Sequence, residues 1–419
     1  MVESRSICFC FPYHEESGVP ILFARMANAL AAKEKDRQIY VIDYADGATA
    51  RNLLPLENIH LIVFEDGKTV TPPRDAILVM QSFVPYYWPK ELTVEPETRL
   101  FFWSLHPDNF VPSLLPLPGL RYLPGRYFGL YKALSVLYPG LLGRLRQFVR
   151  LLNAHHALSF MDQTNADATA RHLFLDVEVD SFLPVPAENR NPAARKDAGK
   201  SLDQGLSFCW VGRLANEKAN ILAYTLHKLS SLASELNQKM VYHIVGGGPS
   251  RAYLEENAPA HAQFEVVFHG AIDHRDLDAF LLKEVDIMTA MGTSALEGAK
   301  LGIPTILLDY SSLPVKKDYR FRFLFDTINY DLGHLITDRD FSPGNTTLRD
   351  MVLAIKKDYS LYSTKSRSYF DNSHDLAHVV ELFAGRVGAS TLTFGAIEKK
   401  IFKKPSLLVV YNKLRGLKT

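Results

Sequence analysis

Two cations, a set of glycine turns and one carboxylate at a helix start are the residues of this chain whose types and spacing could do chemistry together. Arg213 and Lys218 stand in GRLANEK, residues 212–218, directly after an apolar strand-like run. Three more turns follow strand-like runs in the same half of the chain: Gly246-Gly247-Gly248-Pro249, His269-Gly270, and Ala290 to Ser294 with Gly292 at its centre. Glycine lets backbone approach a ligand closely. Amides at a helix start suit phosphate oxygens, and Thr293 or Ser294 can cap the helix that begins there. Two cations beside such turns make a diphosphate clamp, with Gly212, Gly247, Gly270 and Gly292 as the backbone that meets the ligand. Read singly, Arg213 and Lys218 are equally ordinary surface charges. Glu297 lies in the first turn of the same helix, as a partner for the two hydroxyls of a ribose or as a helix-stabilising acid.

The first half offers less. Gly18 follows the first strand-like run, in PYHEESGVP, and His106 follows another, in SLHPDN. Both stand where a crevice-facing residue would stand. An ordinary loop glycine and a structural histidine are the competing readings. Asp108, Asn109, Asp162 and Asn165 are candidates for holding acceptor hydroxyls. Other chemistries have no motif. The chain contains no GxGxxG, no GxxxxGK[ST], no HExxH, no GxSxG and no CxxC, so dinucleotide, P-loop, zinc-hydrolase and serine-hydrolase readings are unsupported.

These residues need elements to position them. Strands are expected at 6–11, 39–42, 59–63, 77–80, 100–103 and 157–161, with a helix over 21–33. In the second half, strands at 206–211, 240–245, 264–268, 286–288 and 303–308 alternate with helices at 219–236, 251–257, 275–282 and 293–301. Terminal helices are expected at 347–359 and 374–383. Strand, glycine turn and helix repeated in this way describe a doubly wound parallel sheet, whose ligands bind beyond the carboxyl ends of its strands. The polar stretch 186–205 reads as a linker between two such domains.

The chain has 419 residues, 47% hydrophobic and 22% charged, which suits a globular protein of two domains. No apolar run is long enough to span a bilayer, and the N-terminus lacks the pattern of a signal peptide. Cys8, Cys10 and Cys209 sit in apolar runs, as expected of buried, reduced thiols in a cytoplasmic protein. The formal charge is +1, yet residues 397–419 hold seven basic residues against one acid, and 126–150 hold five basic residues and no acid. These two stretches are open to two readings, peripheral contact with an anionic membrane or ordinary surface. Neither resembles a nucleic-acid binder.

The blocks FCWVGRLANEKAN (208–220), YHIVGGGP (242–249), VVFHGAIDH (266–274) and DIMTAMGTSALEGAKLGIPTIL (286–307) together resemble the retaining glycosyltransferases of family 4, which have the GT-B fold. That resemblance implies two Rossmann-like, doubly wound α/β domains facing across a cleft. They are expected at 1–195 (acceptor side) and 196–365 (nucleotide-sugar side), with a helical segment 366–395 returning to the first domain and a basic tail 396–419. It implies transfer of a hexosyl group from a UDP- or GDP-sugar to a glycan or lipid-linked acceptor in polysaccharide or lipopolysaccharide assembly, with no metal and no further cofactor. It places Arg213 and Lys218 on the diphosphate, Glu297 on the ribose, Gly292 against phosphate and sugar, Gly18 in the first-domain loop, and His106 against the donor sugar. Thr289 falls where the family's E-x7-E element has its first glutamate, at the sugar end. A nucleotide-sugar epimerase on a similar fold and a catalytically weak binding or scaffold protein are the alternatives.

Overall fold

The computed structural model describes residues 5–111, 139–175, 179, 182–189, 193–196, 202, 205–311, 313–315, 319–336, 346–404, 406 and 409. Chain contacts divide it into two units, Met1–Pro184 with Val379–Thr419, and Val185–His378.

The first unit contains β1 (Ile7–Cys10), α1 (Gly18–Lys33), β2 (Ile39–Asp43), α2 (Ala48–Arg51), β3 (Ile59–Val63), β4 (Ile77–Gln81), β5 (Arg99–Ser104), α3 (Pro139–Ala154), β6 (Leu158–Phe160) and α4 (Gln163–Leu173). Its six strands are ordered β3-β2-β1-β4-β5-β6, and every pairing is parallel. Apart from the edge strand β3, whose Leu61 and Val63 are exposed, the strands are apolar runs buried on both faces, as a sheet covered by helices requires. Helix α1 turns Leu22, Phe23, Met26, Ala27 and Leu30 inward, each large side chain contributing about 1.5–3 kcal/mol by leaving water. Asp43, fully buried at the end of β2, accepts hydrogen bonds from the backbone N–H groups of Tyr13, Tyr44, Thr49 and Ala50. It thereby fixes the loop after β1 and caps α2.

Helix α3 decides half of the question raised by the basic stretch 126–150. Its apolar face, Leu141, Leu142, Leu145, Phe148, Val149 and Leu152, is buried in the core of the first unit and is not available to lipid. Residues 126–138 lie outside the described residues. The basic tail is likewise anchored at its start: Leu392, Ile397 and Ile401 are buried, and Phe394 and Phe402 pack on Trp88. Among the described residues no helix is long and apolar enough to cross a membrane.

The second unit contains β7 (Leu206–Val211), α5 (Asn216–Glu235), β8 (Met240–Val245), α6 (Arg251–Glu256), β9 (Phe264–Gly270), α7 (His274–Glu284), β10 (Ile287–Ala290), α8 (Ser294–Ala299), β11 (Thr305–Leu307), β12 (Arg322–Phe323), α9 (Leu348–Lys357) and α10 (Tyr359–Ser373). Helix α11 (Leu376–Ala389) carries the chain back into the first unit. The strand order is β12-β11-β10-β7-β8-β9, parallel except for β12, which runs antiparallel to β11. Thus the strands form two doubly wound sheets, as expected, with the antiparallel edge strand β12 and the helix α10 added. The order reverses between β7 and β10, so the loops after these two strands flank the switch point where ligands of such sheets bind.

Candidate functional site

At that switch point the loops are tied to one another through their backbones. Gly212 N–H donates to Val245 C=O (2.9 Å), Leu214 N–H to Gly247 C=O (2.9 Å), Ser250 N–H to Leu214 C=O (3.0 Å) and Gly246 N–H to Gly270 C=O (2.6 Å). The loops after β7, β8 and β9 are therefore one rigid surface. Glycine is required at two places in it. A Cβ on Gly246, at φ +128°, would stand 2.2 Å from Gly212 O, and a Cβ on Gly248, at φ +153°, would stand 2.4 Å from Leu214 O. No side chain fits there. Gly247, the expected contact glycine, has nothing within 4 Å of its Cβ position, so its neighbours hold the loop shape and Gly247 leaves open space above it. The turn after β10 meets this surface, because a Cβ on Gly212 would lie 3.3 Å from Ser294 Oγ.

Arg213 and Lys218 project from this surface. Neither side chain makes a hydrogen bond or ion pair with any described residue. Lys218 is half-buried, its ammonium 5.9 Å from the Trp210 ring centroid. Burial pulls its affinity for a proton below the ordinary lysine range; Glu217 opposes this, and the charge of Arg213 adds to it. Two mutually repelling cations, one of them desolvated and without a carboxylate, form a site with unmet positive charge. Such an arrangement favours an anion between them.

The turn Met291–Thr293 departs from expectation in two respects. Gly292 N–H donates to Leu332 C=O (2.6 Å), so this amide is engaged within the protein and cannot be offered to phosphate. Helix α8 is six residues long, and neither Thr293 nor Ser294 caps it through a side chain. The cations, rather than the helix start, supply the positive potential. Leu332 is held in turn by a buried ionic network. Asp309, fully buried just past β11, takes both nitrogens of the Arg322 fork, the Tyr319 hydroxyl (2.8 Å) and the His334 N–H (2.9 Å). Arg322 Nη2 also reaches Asp331 (2.9 Å), whose second oxygen accepts Gly333 N–H (3.0 Å). Burial alone would raise the Asp331 carboxyl, but the bond from His334 and the charge of Arg322 outweigh it and hold it at about 2. This network bolts 331–334 to the sheet and, through Leu332, sets the Gly292 turn. Its members are scattered over 309–334 with no motif spacing.

Thr289 requires the largest correction. It is fully buried within β10, and its hydroxyl is 2.5 Å from the Tyr242 hydroxyl and 3.3 Å from Cys209 C=O. Burial pushes the Tyr242 phenol well above its ordinary range, so it stays protonated and donates to Thr289, which donates onward to Cys209. Thr289 is a core residue, and the sugar end of the site is not built at this position.

Glu297 is half-buried on α8, on the same face as Ser294 one turn earlier. Its Oε2 is 2.6 Å from Lys300 Nζ, and that ammonium lies 2.8 Å from Asp278 Oδ1 on α7. Lys300 is a buried partner that its sequence position alone did not single out.

In the first unit, Gly18 opens α1 and has open space around it. His106 is exposed after β5; its Nδ1 accepts Asp108 N–H (3.1 Å), which leaves the proton of a neutral ring on Nε2. Asn109 Oδ1 accepts Leu105 and His106 N–H (2.9 Å each) and shapes this loop. Asp162 and Asn165 are buried and bonded to each other as the cap of α4, so they are structural. Gly18 and His106 belong to one unit, and Arg213, Lys218, Gly292, Thr293, Ser294 and Glu297 to the other. All three thiols are buried, and burial pushes Cys10 up to about 12, which excludes a cysteine nucleophile. Among the described residues no group of His, Cys, Asp and Glu has the geometry to hold a metal ion.

Residues 193–326 match the family described as Glycosyl transferases group 1. No curated protein matches the chain. Solved structures similar to it include WaaG, a glycosyltransferase involved in lipopolysaccharide biosynthesis, at 15% identity over 91% of this chain and 99% of that one, with a TM-score of 0.47. Another is Alr3699/HepE of Anabaena in complex with UDP and glucose, at 12% identity over 93% of this chain and 100% of that one, with a TM-score of 0.46. The trehalose-6-phosphate synthase OtsA is similar at 13% identity over 91% of this chain and 99% of that one, with a TM-score of 0.48.

Proposed function

We propose that the chain, in which residues 193–326 match the glycosyl transferases group 1 family and which is built of two Rossmann-like units, moves a sugar from a nucleoside diphosphate donor to an acceptor, and that Arg213 and Lys218 are the groups that grip the donor's diphosphate. The observation behind this reading is the pair of cations whose side chains have no hydrogen-bond or ion-pair partner among the described residues, standing on a rigid glycine surface at the switch point of the second sheet.

The bond that breaks joins the sugar's anomeric carbon to a phosphate oxygen. As it lengthens, the sugar gains positive charge and the diphosphate gains negative charge. Arg213 and Lys218 are already in place to receive the latter, which is where preorganised charge accelerates a reaction. An acceptor hydroxyl then attacks from the face the diphosphate leaves, so configuration is retained, and a phosphate oxygen takes its proton. The acceptor is a hydroxyl of a glycan or of a lipid-linked glycan, in assembly of a cell-surface polysaccharide or lipopolysaccharide. The donor is a UDP- or GDP-hexose.

Turnover of a panel of UDP-, GDP- and ADP-sugars, with and without acceptor, tests the reading. Arg213→Ala and Lys218→Ala are each expected to lower turnover by about a hundredfold or more, while the unfolding temperature stays near that of the wild type. Near-normal turnover in either variant would sink the clamp. Epimerised nucleotide sugar formed without acceptor would replace transfer with epimerisation.

A further inference from the structure

The nucleotide reading of the second unit leaves one buried ion unexplained. The side chain of Lys300 is 7% exposed, yet it faces two carboxylates, Glu297 at 2.6 Å and Asp278 at 2.8 Å. Burial alone would strip its proton; Glu297 and Asp278 outweigh burial and hold the ammonium above the ordinary lysine range. The Lys300 carbonyl is itself bonded by the Arg367 guanidinium, so the backbone under this ion is fixed from α10.

A buried salt bridge is poor evidence for stability, because desolvation takes back most of the attraction. A triad of two acids and one base also retains a negative charge. Glu297, at 29% exposed against 20% for Asp278, is the more open of the two acids, and it lies on the helix face that carries Ser294 toward Gly212. One oxygen of Glu297 is committed to Lys300, which fixes the rotamer. The side chain keeps 29% of its surface open, so the other oxygen can meet a ligand. A fixed, charged acceptor of this kind selects a neutral hydroxyl donor and repels phosphate.

We infer that Lys300, braced by Asp278, is a positioning residue that aims Glu297 at a ribose hydroxyl, so that the Asp278–Lys300–Glu297 triad makes this site prefer ribonucleotides to 2′-deoxyribonucleotides. The inference rests on the donor-site reading above. A site built to hydrogen-bond a hydroxyl rejects the analogue that lacks it, because its acceptor is then left desolvated and unpaired. With one charged acceptor the preference is about tenfold or more, since hydrogen bonds to charged groups contribute roughly 1.5–3 kcal/mol.

The dissociation constants of UDP and 2′-deoxy-UDP, and of GDP and 2′-deoxy-GDP, are measured by calorimetry on the full chain. The variants are Lys300→Met and the double variant Lys300→Met/Asp278→Asn, which removes the carboxylate that the first would strand and so protects the fold. The expected result is a ribose preference in the wild type that falls to within about twofold in the folded variants, with affinity for the deoxynucleotide unchanged. A helix brace with no ligand role would not move that ratio. Equal binding of ribo- and deoxynucleotides by the wild type, or a ratio preserved in a folded variant, would overturn the inference while leaving the diphosphate clamp intact. Failure of the wild type to bind any of the four nucleotides would overturn the donor-site reading and this inference with it.

Discussion

Thr289→Glu is the substitution that separates the buried residue described here from a site residue. If Thr289 faced the sugar, a glutamate there would restore a carboxylate to the reaction and speed it. The structure gives the opposite outcome. Thr289 is fully buried in β10, paired across to Ile306 of β11, with its hydroxyl between Tyr242 and Cys209 C=O. Three costs follow. Loss of the threonine hydroxyl leaves the Tyr242 phenol unsatisfied, at about 1–3 kcal/mol. The longer side chain overpacks the sheet, at about 1–3 kcal/mol. A carboxylate held in this interior costs several kcal/mol more unless it is protonated. A total of roughly 4–8 kcal/mol falls within the whole stability of a typical domain, about 5–15 kcal/mol. Thr289→Glu is therefore expected to unfold the second unit or to leave it barely folded, as read by circular dichroism and thermal unfolding. Thr289→Val keeps the shape and loses only the hydroxyl. It is expected to lower the unfolding temperature by roughly 4–8 °C with donor kinetics unchanged at permissive temperature. A Thr289→Glu protein that melts like the wild type and turns over faster would refute the reasoning. So would a Thr289→Val protein of normal stability with a reduced kcat.

Two further outcomes follow from the same geometry. Gly246→Ala, whose Cβ would stand 2.2 Å from Gly212 O, is expected to abolish nucleoside diphosphate binding, whereas Gly247→Ala, with nothing within 4 Å, should bind within about threefold of the wild type; calorimetry with UDP and GDP checks both, and equal behaviour of the two variants would count against the loop geometry. His374 is buried, and burial, opposed by the bond to Val185 C=O and aided by His378, lowers its pKa to about 4. Its folded pKa lies below the unfolded value of 6.5, so between these values the unfolded chain binds the extra proton. Stability present above 6.5 is then lost as pH falls toward 4, by roughly 3 kcal/mol. Urea unfolding across that range should show the loss, and His374→Gln should flatten it.

The parallel strands were legible because each is a short apolar run closed by a glycine or polar turn, and that pattern survives without tertiary knowledge. The cations were legible for a similar reason, since they follow such a strand in a fixed local stretch. Helix α10 was not. Its buried positions are Tyr359, Ser366, Arg367 and Phe370, so its inner face is made partly of polar groups. Ser366 accepts Thr305 N–H, and Arg367 pairs with Asp371, which satisfies them there. No apolar period marks such a face. Spacing along the chain puts Thr289 at the family's first glutamate but cannot show that its hydroxyl meets a tyrosine two strands away, on β8. The Arg322 network joins residues from three separate turns, and Lys300 acquires its meaning from Asp278 on another helix.

The route of the chain also bears on how the protein is made. The second unit is one continuous segment, Val185–His378, while the first is completed only by Val379–Thr419. Leu100 N–H waits for Leu392 C=O, Ser390 Oγ closes on Leu100 C=O, and Phe383 supplies a stacking face to Phe9. During synthesis the second unit can therefore finish folding from contiguous chain, while the strands translated first remain without their cover until last. The order of translation and the order of completion are reversed, and the early sheet spends that interval as the part most exposed to chaperones and proteases.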